Sequence, residues 1–229
     1  MIIFPHIHKT GGTSLGTALG ARVYKDYGRD HPFSLSADVV LRREAYKNAF
    51  NDSEFALNFI KAYDMVYGHF KADTYRALHP YTHLDHVCFL RDPVERTISH
   101  YYYWKYKLAS GHYLEKYNGI HPELHLLQDP GFSLFDFAGL ETMKHYYRLV
   151  LGECDIRSFA FIGITDYFLA SILRMNELFG MDLHMEYKNI NDRTMYNMDE
   201  ITSQYAALKG INEENYYYYD EALVRFWNK

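Results

Sequence analysis

The sequence predicts an α/β fold of three layers, built on a central, mainly parallel sheet, with a P-loop-like loop after the first strand. Three observations carry this. Short apolar runs recur without the alternation of a half-exposed sheet, as buried parallel strands require. Helical patterns separate the runs, the order that strand–helix crossovers produce. A glycine turn, Lys9-Thr10-Gly11-Gly12-Thr13-Ser14, follows the first run almost directly. At 229 residues the chain has the length of one domain, and 1–229 reads as such, without linker, repeat or low-complexity tract.

In chain order, Ile2–Ile7 reads as the first strand and Thr13–Leu19 as the helix after the turn. Ser53 caps a helix over Ser53–Ala62, a strand covers Asp64–Tyr67, and a helix is expected over Lys71–Leu78. The run His86–Leu90, opened by Asp85, is the third strand. Asp92 then makes a good N-cap, Pro93 suits the first helical position, and Glu95 completes a capping-box pattern for a long helix over Pro93–Leu108. Ala109 to Pro130, with Gly111, Gly119 and Pro122, reads as an irregular excursion over the cleft or as a surface insertion. Ser133–Leu151 reads as two helices broken near Gly139, and Phe159–Ile164 as the fourth strand. Helices are expected over Asp166–Phe179, Met198–Leu208 and Glu213–Trp227, with a strand at His184–Lys188.

Composition narrows the function classes. Hydrophobic content of 48% and charged content of 23% fit a soluble globular protein. A net charge of −5 argues against general affinity for nucleic acid or anionic membranes. The 23 tyrosines are read chiefly as packing, the run Tyr216–Tyr219 included. Two cysteines make no disulfide framework, and Cys88 is expected as a buried thiol. No apolar stretch approaches the length of a membrane span. A strand beginning at Ile2 leaves no room for a signal peptide, so a cytoplasmic protein is expected; the alternative is that an anchor was trimmed.

The turn is read as an anion site. Gly11 and Gly12 let the backbone pass close to a phosphate, and N–H groups at the start of the helix point at it. Lys9 adds a positive charge, and Thr10, Thr13 and Ser14 add hydroxyl donors. In the nucleotide P-loop the lysine follows the glycines; here Lys9 precedes them, so the loop suits phosphate-like groups without matching the triphosphate pattern. Lys9, His69 and Arg91 all fall just past a strand end, where open α/β sheets bind ligands. Ser99, two helical turns into the helix, can converge with Arg91 on one anion. His6 and His8 alternate, but no third residue at a suitable spacing makes them a metal set. Glu44 and Glu54, possible carboxylate bases, sit in ordinary helical contexts.

These residues resemble the sulfotransferases that use 3'-phosphoadenosine 5'-phosphosulfate (PAPS), most of all the carbohydrate type that includes the heparan sulfate 2-O-sulfotransferases. His8-Lys9-Thr10-Gly11-Gly12-Thr13-Ser14 is similar to the family's phosphosulfate-binding loop. Arg91, followed eight residues later by Ser99, is similar to its 3'-phosphate motif. Tyr67-Gly68-His69 stands where these enzymes carry a catalytic histidine, and Gly163-Ile164-Thr165-Asp166 is similar to a strand-to-helix junction of the family. Asn191-Asp192-Arg193-Thr194 is similar to a cofactor-contacting loop, so Arg193 and Thr194 join the donor-binding set.

The resemblance implies sulfuryl transfer from PAPS to a hydroxyl acceptor, with a carbohydrate first among the candidates. His69 would be the general base and Lys9 would neutralise charge on the leaving phosphate. No metal is expected, because lysine and helix-end dipoles supply the positive field. Two readings compete. One is a nucleotide or small-molecule kinase with an atypical phosphate loop. The other is a binding module that kept the fold without catalysis.

Overall fold

The computed structural model describes residues 1–27, 52–62, 64–110, 122–184, 194 and 196–228. Its centre is a four-stranded sheet in the order β2-β1-β3-β4. Strand β1 (Ile2–Pro5) leads through the glycine turn into α1 (Gly12–Tyr27), and α2 (Ser53–Ala62) precedes β2 (Met65–Gly68). Strand β3 (Asp85–Leu90) feeds α3 (Pro93–Ala109). Three short helices follow, α4 (Leu134–Ala138), α5 (Glu141–Lys144) and α6 (Tyr146–Leu151). Strand β4 (Phe161–Ile164) precedes α7 (Phe168–Phe179), and α8 (Met198–Ile211) and α9 (Glu213–Trp227) complete the described chain.

Every pairing in the sheet is parallel, with Ile2 beside Met65, Ile3 beside His86 and Val87 beside Phe161. The expected apolar runs are the strands: β1 and β4 are each shorter by two residues, β2 is shifted by one, and β3 takes in Asp85. Side chains alternate across β3, so its two faces report what covers the sheet. Val87 and Phe89 pack with Leu15 of α1 and with Ile172 and Met175 of α7. Cys88 and Leu90 pack with Tyr147 and Leu151 of α6 and with Ala222 and Phe226 of α9. Helices therefore cover both faces, and Cys88 is the fully buried thiol the sequence suggests. A further apolar cluster joins Val94, Ile98 and Trp104 of α3 to Phe137 of α4 and Leu208 of α8.

Three local readings are corrected. The segment expected as a helix over Lys71–Leu78 is a 3₁₀ run, Ala72–Leu78. Its buried residues are Ala72, Tyr75 and Leu78, a spacing of three that a 3₁₀ turn aligns on one side and an α-helix does not. Ser133–Leu151 breaks twice, at Gly139 and again at His145. At the second break the Asn215 side chain accepts from the Tyr147 N–H at 3.0 Å and donates to the Met143 carbonyl at 2.9 Å, replacing helix hydrogen bonds. Asp92 caps α3 by accepting from the Glu95 N–H at 3.0 Å, but the Glu95 carboxylate pairs with Arg91 at 3.3 Å instead of completing the box.

Within the expected excursion from Ala109 to Pro130, a 3₁₀ run covers Pro122–Gln128, and its Leu127 is buried against α3. Of the strand expected at His184–Lys188 only His184 is described, outside any strand; Glu44 lies outside the described residues. Among the described residues no helix is long and apolar enough to cross a membrane.

Candidate functional site at the carboxyl edge of the sheet

The strand order sets the position of the site. From β1 the chain moves outward to β2 and then returns to the other side of β1 with β3. The switch point of the sheet therefore lies between β1 and β3, where the loops after these strands diverge and leave a crevice. The loop after β1 carries Lys9 and the loop after β3 carries Arg91. They meet there: Arg91 Nη1 donates to the Lys9 carbonyl at 3.5 Å.

Loop geometry explains its residues. Lys9 has φ 70° and Gly11 φ 81°, both left-handed. For glycine this is free, whereas a lysine there costs about 1–2 kcal/mol. Gly12 has no room for a side chain, since an added Cβ would lie 1.8 Å from His6 Nε2. One at Gly11 would lie 2.8 Å from the Phe168 ring at the start of α7. The Tyr67 hydroxyl donates to the Gly12 carbonyl at 3.1 Å, tying the loop to β2. Thr10 departs from expectation. Its side chain is fully buried and its hydroxyl donates to the Ile7 carbonyl at 2.8 Å, so it braces the loop and leaves only its backbone N–H for a ligand. Thr13 is exposed and Ser14 buried in the first turn of α1.

The charges around Lys9 are of its own sign. Burial, with Arg91 and Lys107 nearby, pulls its pKa down to about 8. The Lys9 ammonium sits 4.1 Å from the centre of the Tyr103 ring, and Lys107 lies 5.6 Å from the same ring. Such a group of cations is stabilised by a bound anion.

His69 follows β2 and is half-buried. Its Nδ1 lies 2.9 Å from the His6 backbone carbonyl. A carbonyl only accepts, so Nδ1 carries the proton and Nε2 holds a lone pair. The ring lies face to face on His8, 3.8 Å between centres and 7° between planes, and 4.7 Å from His6. His8 in turn stacks toward His100 at 5.6 Å. His6 is held well below the ordinary histidine range, first by burial and then by His69 and Lys9, and is a neutral imidazole under the loop.

Of the remaining expected residues, Ser99 lies in α3 beyond Arg91 and is buried, at 1% exposure. Thr194 is exposed, and Arg193, like Asn191, lies outside the described residues. The structure therefore brings Lys9, the glycine loop, His69 and Arg91 together at one edge. It does not bring a Ser99 hydroxyl to the surface of the crevice.

Several residues at this edge escaped the sequence reading. The Tyr146 hydroxyl lies 2.6 Å from His8 Nδ1, across 138 residues of chain, a separation that leaves no local signal. Arg96 of α3 is fully buried, with its guanidinium 4.2 Å from the centre of the Tyr146 ring. A charged side chain on the apolar face of a helix was a visible anomaly that could have marked it.

The junction after β4 is the other notable group. Asp166 Oδ2 accepts from the Tyr219 hydroxyl at 2.9 Å and from the Asp92 N–H at 3.4 Å, while Asp92 Oδ2 accepts from the Tyr216 hydroxyl at 2.7 Å. The tyrosine run read as packing thus also supplies these two hydroxyls. Among the described residues no group of three or more His, Cys, Asp and Glu side chains could hold a metal ion. Comparisons of the chain with protein-family models, with curated proteins and with solved structures return no match.

Proposed function

We propose that the protein is a PAPS-dependent sulfotransferase that moves a sulfuryl group to a hydroxyl acceptor, with a carbohydrate as the first class to test. The observation that carries this is the meeting of Lys9 and Arg91 at the switch point of the parallel sheet, around a glycine loop that opens a helix, with His69 after β2 stacked on His8 of the same loop. The loop's N–H groups and Lys9 receive the phosphosulfate, and the loop is P-loop-like in this sense. Lys9 opposes charge growing on the leaving phosphate oxygen. His69 Nε2, the unprotonated nitrogen, takes the acceptor's proton as its oxygen attacks sulfur. Arg91 receives the 3'-phosphate, exchanging its contacts with Glu95 and the Lys9 carbonyl for a stronger charged pair. Ser99, Arg193 and Thr194 complete the proposed donor set. For Ser99 this requires the start of α3 to open around the ligand.

The test is a transfer assay with sulfur-labelled PAPS across glycans, phenols and lipids, without added metal. Label moving to a hydroxyl acceptor, and lost in Lys9→Ala and His69→Ala, is the expected result. Protection from heat by ATP with Mg2+ but not by adenosine 3',5'-bisphosphate would favour the kinase alternative. Donor binding without turnover of any acceptor would favour the binding module.

A further inference from the structure

The face-to-face pair of His8 and His69 has a built support. Arg96, fully buried, holds its guanidinium 4.2 Å from the centre of the Tyr146 ring. Its Nη2 donates to Thr97 Oγ1 at 3.0 Å, and its Nη1 lies 3.4 Å from His100 Nδ1. A cation over a phenol face draws electron density from the ring, which makes the hydroxyl a better donor and a poorer acceptor. The Tyr146 hydroxyl therefore donates to His8 Nδ1, at 2.6 Å, and occupies that lone pair. His8 is left as the neutral tautomer with its proton on Nε2.

On its other side His8 lies flat against His69 at 3.8 Å. Two imidazolium charges at that separation repel strongly, so a proton on one ring opposes a second on the other. Of the groups around the pair, the cations Arg96 and Lys9 also oppose double protonation. His6 is 6.4 Å from His8 and 4.7 Å from His69, ring to ring, and is neutral. His100, 5.6 Å from His8, lies against Arg96, and Lys9 follows His8 in the chain. Tyr67 stacks on the far side of His6 at 5.5 Å.

We propose that Tyr146 and His8 are positioning residues for His69. They hold its ring by stacking, and, because the His8 Nδ1 lone pair is already occupied, they assign the pair's single proton to His69. The proposal rests on the reading of His69 as general base. His69 then receives the acceptor's proton on Nε2 while its Nδ1–H goes on donating to the His6 carbonyl. His8 touches neither reacting atom and acts only through His69.

The experiment is nitrogen-15 NMR of the histidine rings in the full chain, as wild type and as Tyr146→Phe, followed over pH. It is paired with kcat and KM for labelled PAPS. The phenylalanine ring keeps the contact with Arg96 and removes only the hydroxyl. In the wild type His69 is expected to protonate first, with the His8 step displaced to lower pH. In Tyr146→Phe the first proton should move to His8. There kcat should fall about tenfold, the effect of one hydrogen bond, with KM for PAPS within about twofold. Titration curves unchanged by the substitution would overturn the proposal. So would a wild type in which His8 protonates before His69, which decides the matter even if the variant does not fold. The NMR arm needs no turnover. A shifted proton in a protein that transfers no sulfuryl group would support the pair's design and count against the sulfotransferase reading alone.

Discussion

The loop after β1 and the junction after β4 lie at the same edge of one parallel sheet and are built in opposite ways. After β4, each polar group has its match: Asp166 takes the Tyr219 hydroxyl and the Asp92 N–H, Asp92 takes the Tyr216 hydroxyl, and Thr165 donates to the Leu90 carbonyl at 3.0 Å. After β1, a lysine stands in a left-handed conformation, its charge depressed by burial and by two like-charged neighbours, beside stacked imidazoles. Strain and clustered like charges are costs that folding alone does not explain, and they concentrate where ligands bind. The contrast separates a candidate ligand-binding loop from a structural part of the edge without reference to any relative.

The largest expected effect is at His69. His69→Ala should lower sulfuryl transfer by about 10²–10⁴, the usual range for loss of a general base. Affinity for adenosine 3',5'-bisphosphate should stay close to wild type by calorimetry. An unfolded variant by circular dichroism would mean that the ring serves the fold and belongs with the structural edge.

Lys9 comes next. Lys9→Ala should cost about 10²–10³ in kcat. Lys9→Gly should lose as much activity yet be more stable than the alanine variant by about 1 kcal/mol, because glycine is at ease at φ 70°. Equal melting temperatures for the two would remove the strain from the argument. The lysine also has a pH signature. Its pKa falls from 10.5 in the open chain to about 8 in the fold, so between these values the unfolded state binds more protons. Wild-type stability should therefore rise with pH across that window relative to Lys9→Met, while affinity for the bisphosphate should fall above about pH 8. Parallel stability curves would contradict it.

Arg91→Ala should weaken binding of the bisphosphate by about 1.5–3 kcal/mol, and Ser99→Ala by about 1. Both losses should be smaller for a ligand without the 3'-phosphate. The smallest effects belong to the junction after β4. Tyr216→Phe and Tyr219→Phe should each cost about 1 kcal/mol of stability in urea, with little change in ligand affinity. A large affinity loss in either would move the carboxylates into the site and dissolve the contrast.

How much of this was legible in the sequence depends on range. The strands and the long helices could be read because burial and capping are written in neighbouring residues, as at Asp92 and Pro93. Gly11 and Gly12 were legible for the same reason. His69 and Arg91 could be placed because each follows a strand directly, and Lys9 because it lies in the short turn after one. The break at His145 could not, since Asn215 causes it from 70 residues away. Nor could the Tyr146–His8 contact, nor the inward turn of the Thr10 hydroxyl, which depends on where the Ile7 carbonyl faces once the loop has closed.

This edge of the sheet is proposed to bind the donor nucleotide through its 3'-phosphate without metal. Calorimetry in chelator-containing buffer tests it most directly, titrating wild type and Arg91→Ala with adenosine 3',5'-bisphosphate and with adenosine 5'-monophosphate. The account predicts that the wild type binds the bisphosphate more tightly by about tenfold or more, the effect of one charged hydrogen bond, and that Arg91→Ala loses most of that preference. Equal affinity of the wild type for the two nucleotides, or a preference untouched by Arg91→Ala, would contradict it.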